Sequence, residues 1–426
     1  MPDPRTLVPS SGIPLLYFAF AHACLALACT VLIIDPALPG AFFLHPRMVA
    51  IVHLVTLGWI SASILGSFYI VGPIALRMPL RPRSVDRVAF ACYASGVAGM
   101  VWQFWTGDYH RMALFALLVI AAVLHVSVRV WGGLTRAVAP WPVKLHVALA
   151  FGNMLAASLF GALLGANRAA GWFEWSPLGA AYGHLHLAVV GWATMMFVGL
   201  AYRLIPMIVP AAMPSGASLA TSAVLIQSGV VVLVWSLLRG SSWTAAGALL
   251  VVAGLVSFVI HIRLTLRHRL PPPAALPRPD WATRQTHGAL LWLLVAAALG
   301  VLLALPGPPD RLLTWGWVYG TAGLIGFLAQ VIVGMQGRLL PMHAWYSAFE
   351  AAGHKPPARS AHSLVNPRLA RGLFITWTSG VPVLAFGLAR NKPLAIALAS
   401  AVLLLGTLLG AVQTAWIAVA ARKPLT

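Results

Sequence analysis

Twelve long apolar runs constrain this chain more than anything else in it. They fall at about residues 13–34, 48–76, 85–106, 111–131, 143–165, 178–209, 217–238, 243–266, 284–305, 313–342, 369–389 and 394–421. Each is roughly 20 residues or more, the length at which a helix rising about 1.5 Å per residue crosses about 30 Å of hydrocarbon. Lipid offers no partner to a backbone N–H or C=O, so only helical bundles and closed barrels can span it, and runs this long select the bundle. A content of 60% hydrophobic and 8% charged residues excludes a soluble domain. The expected fold class is an all-α polytopic membrane protein with 12 transmembrane helices in a single integral membrane domain, residues 1–426.

The runs are related by an internal repeat. From His53 to Gly58, Trp59, Gly66, Tyr69 and Pro73 the offsets are 5, 6, 13, 16 and 20. From His186 the same offsets reach Gly191, Trp192, Gly199, Tyr202 and Pro206. A decayed third copy counts from Thr321, where the histidine is gone, to Gly326, Gly334 and Pro341. The copies begin 133 and 135 residues apart, and Arg203-Leu204-Ile205-Pro206-Met207 matches Arg338-Leu339-Leu340-Pro341-Met342 in the same register. Twelve helices thus divide into three pseudo-threefold four-helix repeats, 1–136, 137–276 and 277–426, with the marked helix second in each.

A net charge of +20 suggests nucleic acid until its distribution is examined. With a cytoplasmic N-terminus, only Arg47, Arg111, Arg168, Arg239, Arg311, Arg390 and Lys392 of the 28 basic residues fall in outer loops. This is the positive-inside bias of a multi-pass protein of the bacterial inner membrane, both termini cytoplasmic. Anionic lipid headgroups are then the partner of the basic loops, and nucleic acid is not. Cys24, Cys29 and Cys92 all lie in spans, which implies small residues packed between helices and no disulfide framework. The first run is too long for a cleaved signal peptide and is needed to complete the first block. A Pro-rich tail at 1–12, a Pro-rich linker at 267–280 that cannot be helical, and a polar loop at 343–368 without evident structure punctuate the spans.

Ionisable side chains at membrane depth mark function. Carboxylates are almost missing from the spans, whereas histidine recurs in them, and neutral imidazole ligates iron, copper or zinc well. His53 and His186, equivalent in the repeat, are the leading metal and cofactor ligands, placed toward the outer face. His184 is two residues from His186, about 200° around the helix, and stands as a neighbouring copper ligand or support. Toward the inner face lie further candidates His125, His146, His261 and His287, each of which a carbonyl hydrogen bond would also satisfy. Trp59 and Trp192 either flank a cofactor or pack. The repeated glycines admit either a neighbouring helix or a flat macrocycle. Arg203 and Arg338 either snorkel to the interface or pair with a haem propionate.

At these residues the chain resembles subunit I of the haem–copper oxidases. Three four-helix arcs, a second-helix histidine toward the outer face, and the runs HLVTLGW and HLHLAVVGW are similar to divergent, NnrS-like members of that superfamily. The resemblance implies haem b held by histidine, with copper as a further cofactor, His53 being the residue that carries over directly as a haem ligand. His186 as its partner is inferred from the repeat. Residues 217–238 lack the His-His pair expected for copper on helix 7, and helix 10 has Thr321 and Gln330 in place of haem-ligating histidines. The implied role is therefore electron transfer, handling of a diatomic gas such as nitric oxide, or a copper-related respiratory task, and not proton-pumping oxygen reduction. Other respiratory membrane subunits or a periplasmic electron donor are the partners this implies. The competing expectations are a cofactor-free scaffold of a respiratory complex and a transporter of a small molecule or metal.

Overall fold

The computed structural model describes residues 12–271, 279–353 and 360–420. Among them it is all-helical, with twelve helices long and apolar enough to cross a membrane. These are α1 (Gly12–Ile34), α2 (Pro46–Leu76), α3 (Ser84–Thr106), α4 (Tyr109–Leu134), α5 (Trp141–Ala170), α6 (Pro177–Ile208), α7 (Ala217–Arg239), α8 (Thr244–Arg267), α9 (Trp281–Ala304), α10 (Leu312–Ala351), α11 (Pro367–Ala389) and α12 (Pro393–Ala420). The chain is a multi-pass membrane protein. Most of the tail expected at 1–12, and the linker between 272 and 278, lie outside the described residues, as does the end of the twelfth run beyond 420. Glycines with left-handed φ, Gly107 (77°), Gly171 (69°) and Gly240 (61°), stop α3, α5 and α7.

Two compact units divide the described residues. One comprises 72–271 with 300–306; the other comprises 12–71, 279–299, 307–353 and 360–420. In the first, α3 pairs with α4, α5 packs on α6, and α7 pairs with α8. In the second, α11 pairs with α12, and α1 packs between α12 and α2.

The repeat read from sequence reappears as backbone geometry. Each second helix changes from α to the wider π turn at the same place: Leu54–Ser61 in α2, Leu187–Thr194 in α6 and Ala322–Ala329 in α10. The segments begin immediately after His53, His186 and Thr321, and such π segments often accompany functional sites. Apolar periodicity implies one continuous α-helix here, so the widening is a departure from the expected regular turn. Its companion is a packing constraint. A Cβ on Gly58 would lie 2.4 Å from Cys24 Cβ of α1, one on Gly191 2.9 Å from Asn153 Cγ of α5, and one on Gly326 2.4 Å from Trp292 Cγ of α9. One heptad earlier on α1 and α5, Tyr17 and His146 fill the same space beside Gly66 and Gly199, and Thr286 of α9 does so beside Gly334. The first helix of every block thus presses two side chains into two glycine notches of the second. Helix packing, and not a macrocycle, occupies the notches.

Of the polar loop expected at 343–368, residues 354–359 lie outside the described residues, and the parts on either side of them are largely helical. α10 continues to Ala351, and one 3₁₀ turn forms at Ala361–Leu364. Trp345 stacks on Phe349 at 5.6 Å and 7°, and Ser347 Oγ donates to the His343 carbonyl at 3.0 Å. Aromatic residues one turn apart therefore carry the helix past Pro341, with polar composition overridden by i,i+4 contacts.

Candidate functional site: the histidines of α2 and α6

The residue opening each π segment makes the same bond. His53 Nδ1 lies 2.8 Å from the Val49 carbonyl and His186 Nδ1 2.8 Å from the Tyr182 carbonyl, while Thr321 Oγ1 donates to the Trp317 carbonyl at 2.7 Å. A carbonyl only accepts, so each Nδ1 carries the hydrogen and the lone pair sits on Nε2. This is the tautomer of a histidine whose Nε2 ligates a metal while a backbone oxygen orients the ring. Both imidazoles are half-buried within their units, His53 in the second and His186 in the first. Thr321 makes the equivalent bond to a carbonyl but carries no ring nitrogen, and the same π turn follows it.

Other candidates have their places. His184 lies against α5, with its Cε1 where a Cβ on Gly161 would reach it at 2.7 Å and its ring edge-on to Phe160 at 6.1 Å. Trp59 is buried, donates from Nε1 to the Ala329 carbonyl at 3.4 Å, and stacks on Trp377 at 6.4 Å. Trp192 is buried edge-on to Phe151 at 5.1 Å. Arg203 Nε donates to the Ala75 carbonyl at 3.1 Å, satisfying the last turn of α2. Among the described residues there is no group of three or more His, Cys, Asp or Glu able to hold a metal ion.

The candidates His125, His146, His261 and His287 meet different fates. His146 is fully buried, with Nδ1 2.7 Å from the Pro142 carbonyl and Nε2 2.9 Å from Ser222 Oγ, which also meets the Tyr202 hydroxyl at 3.0 Å. His261 has Nδ1 2.8 Å from the Ser257 carbonyl and Nε2 3.2 Å from Ser218 Oγ. In both rings hydrogen bonds occupy both nitrogens, so the network fastens α5, α6, α7 and α8 together. His125 donates from Nε2 to Asp86 Oδ1 at 2.8 Å. His287 stands on an exposed face of α9.

Two ion pairs were not evident from the sequence, because their members come from separate helices. Asp86, in the first turn of α3 with no exposed side-chain surface, accepts from Arg129, from His125 and from the Arg83 backbone N–H at 2.6 Å. Asp280, just before α9, accepts from Arg338 of α10 and from the Thr283 hydroxyl at 2.6 Å. Arg338 therefore ends on a carboxylate of its own unit and not in free snorkelling.

Arg338 also contacts His362 in the 3₁₀ turn, its Nη1 donating to His362 Nδ1 at 3.3 Å. A guanidinium has no acceptor, so this imidazole is neutral. Burial, and then the Arg338 charge, hold its pKa below the ordinary 6.5. The unfolded chain consequently binds more protons below that pH. The contribution is complete above 6.5 and is lost as pH falls from there toward the folded-state value. Thermal unfolding in detergent is expected to move to lower temperature between about pH 7.5 and about pH 5.5, and His362→Gln to flatten that slope. Equal slopes in the two proteins would contradict the assignment.

No protein-family model matches the chain, and no curated protein matches it.

Proposed function

We propose that this chain is a b-type haem protein of the bacterial inner membrane, with both termini cytoplasmic, in which His53 of the second unit and His186 of the first each serve as a haem-iron ligand. One observation carries the reading. Two half-buried imidazoles, equivalent in the repeat, are each locked by the carbonyl four residues earlier into the tautomer that presents Nε2 as a ligand. The donor chemistry fits iron, for which neutral imidazole is a preferred ligand. When bound, the haem supplies a one-electron redox change or a site for a diatomic gas such as nitric oxide. Val49 and Tyr182 hold the rings in place through their carbonyls, and a π turn begins just after each histidine. Copper beside His184 and an electron donor or respiratory subunits as partners are part of the same proposal.

The test is spectroscopic. Protein purified with its native cofactors should show a haem absorption band, with pyridine treatment giving the b-type product. His53→Ala and His186→Ala should each abolish or shift that band, while His287→Ala leaves it unchanged. Wild-type protein without haem, or unaltered spectra in both ligand variants, would overturn the proposal.

A further inference from the structure

Within the second unit α1, α2, α9, α10, α11 and α12 surround a cavity of about 80 Å³, several times the roughly 10–15 Å³ that one water requires. Its wall includes Trp59 but neither His53 nor His186. Five of the side chains lining it are at least nine-tenths buried and polar: His22 (6% exposed), Gln285 (2%), Gln336 (6%), Gln413 (5%) and Trp377 (1%). Each keeps a hydrogen-bonding atom with no partner among the described residues: His22 Nε2, both amide atoms of Gln285 and Gln413, Gln336 Nε2 and Trp377 Nε1. Leaving a buried polar group unsatisfied is costly, so five converging on one space are not explained by packing.

The backbone is cut to leave these atoms open. On α12, Gly406 and Gly410 are one turn apart, and both line the cavity. A Cβ on Gly406 would come within 3.1 Å of Trp377 Nε1, and one on Gly410 within 3.1 Å of His22 Nε2. Gln413 follows on the same face at i+3 from Gly410. His22 Nδ1 lies 2.8 Å from the Phe18 carbonyl, so its Nε2 is an acceptor. Trp377 Nε1 is a donor only, and the glutamines supply both kinds.

We infer that this cavity is a binding site for a small uncharged solute carrying both a hydrogen-bond donor and an acceptor, of the size of a simple amide or diol. Two features exclude an ion. The charge of Arg338 at the wall is balanced by Asp280, its Nε adding one more donor without a partner among the described residues, and the remaining lining is neutral or apolar. Intercalated donors and acceptors match a molecule that offers both, and Trp59 and Trp377 provide flat apolar walls.

Equilibrium dialysis of the full chain in lipid nanodiscs, with radiolabelled acetamide as probe and labelled acetate as its charged counterpart, tests this. Saturable acetamide binding near one per chain is expected, weakened at least about tenfold by Gln285→Leu and by Gln413→Leu, with no saturable acetate binding. Each glutamine variant removes a partnerless amide, so both should unfold at the wild-type temperature or above it, and weakened binding cannot be ascribed to misfolding. Gly410→Leu should abolish binding by covering His22 Nε2, and His53→Ala should leave it unchanged, which separates this site from the haem proposal. Absence of saturable acetamide binding, equal binding of acetate, or undiminished binding in both glutamine variants would overturn the inference.

Discussion

Replacing Asp86 by alanine is expected to lower stability by about 3–5 kcal/mol, the range for removing one partner of a buried ion pair. The carboxylate has no exposed side-chain surface and accepts from Arg129, whose side chain is 14% exposed, from His125 and from the Arg83 backbone. Its loss strands a guanidinium between α3 and α4 and frees a backbone donor at the N-terminus of α3, where a negative charge is also favoured by the helix dipole. Asp86→Ala with Arg129→Met should recover part of the loss, because the stranded charge is removed while the Arg83 N–H and His125 still lack their acceptor. Chemical or thermal unfolding in detergent measures both. A single variant as stable as wild type would mean that the pair contributes little, and a double variant no better than the single would mean that Arg129 is not the stranded partner.

Gly58→Ala tests the notch that accompanies the π segment of α2. The added methyl would lie 2.4 Å from Cys24 Cβ and 2.8 Å from Cys24 Sγ. Because the Cβ itself is in contact, no rotamer of Cys24 relieves it and the two helices must separate. The expected loss is about 1–3 kcal/mol, toward the upper end of the overpacking range. Cys24→Gly opens the same space from the other side. In the doubly substituted protein the losses should be less than additive by about 1 kcal/mol or more, the coupling expected of residues in contact. Additive losses would show that the two positions do not share that space.

The architecture was legible because lipid permits so few backbone solutions: twelve runs of spanning length leave a bundle, and twelve such helices are found among the described residues. The π turns of α2, α6 and α10 follow His53, His186 and Thr321, the positions from which the glycine spacing was counted in the sequence. Why the glycines recur was not legible. Both a macrocycle and a helix require a small residue, and only the positions of Cys24, Asn153 and Trp292 distinguish them. The roles of His146, His261 and His125 were hidden for a related reason. Their partners Ser222, Ser218 and Asp86 lie 39 to 76 residues away in the chain, on other helices.

His22 and the glutamines around the second unit's cavity show the same boundary from the other side. Each looks like an isolated polar residue on its own helix, and convergence appears only when α1, α9, α10, α11 and α12 are assembled. Local sequence determined which segments are helices, where they repeat and which ring nitrogen of His53 and His186 is tied down, because all of these depend on residues within about one turn. Tertiary structure alone decided which polar groups pair and which remain open to a ligand, since hydrogen bonds and close packing act over a few ångströms between residues the chain order keeps far apart.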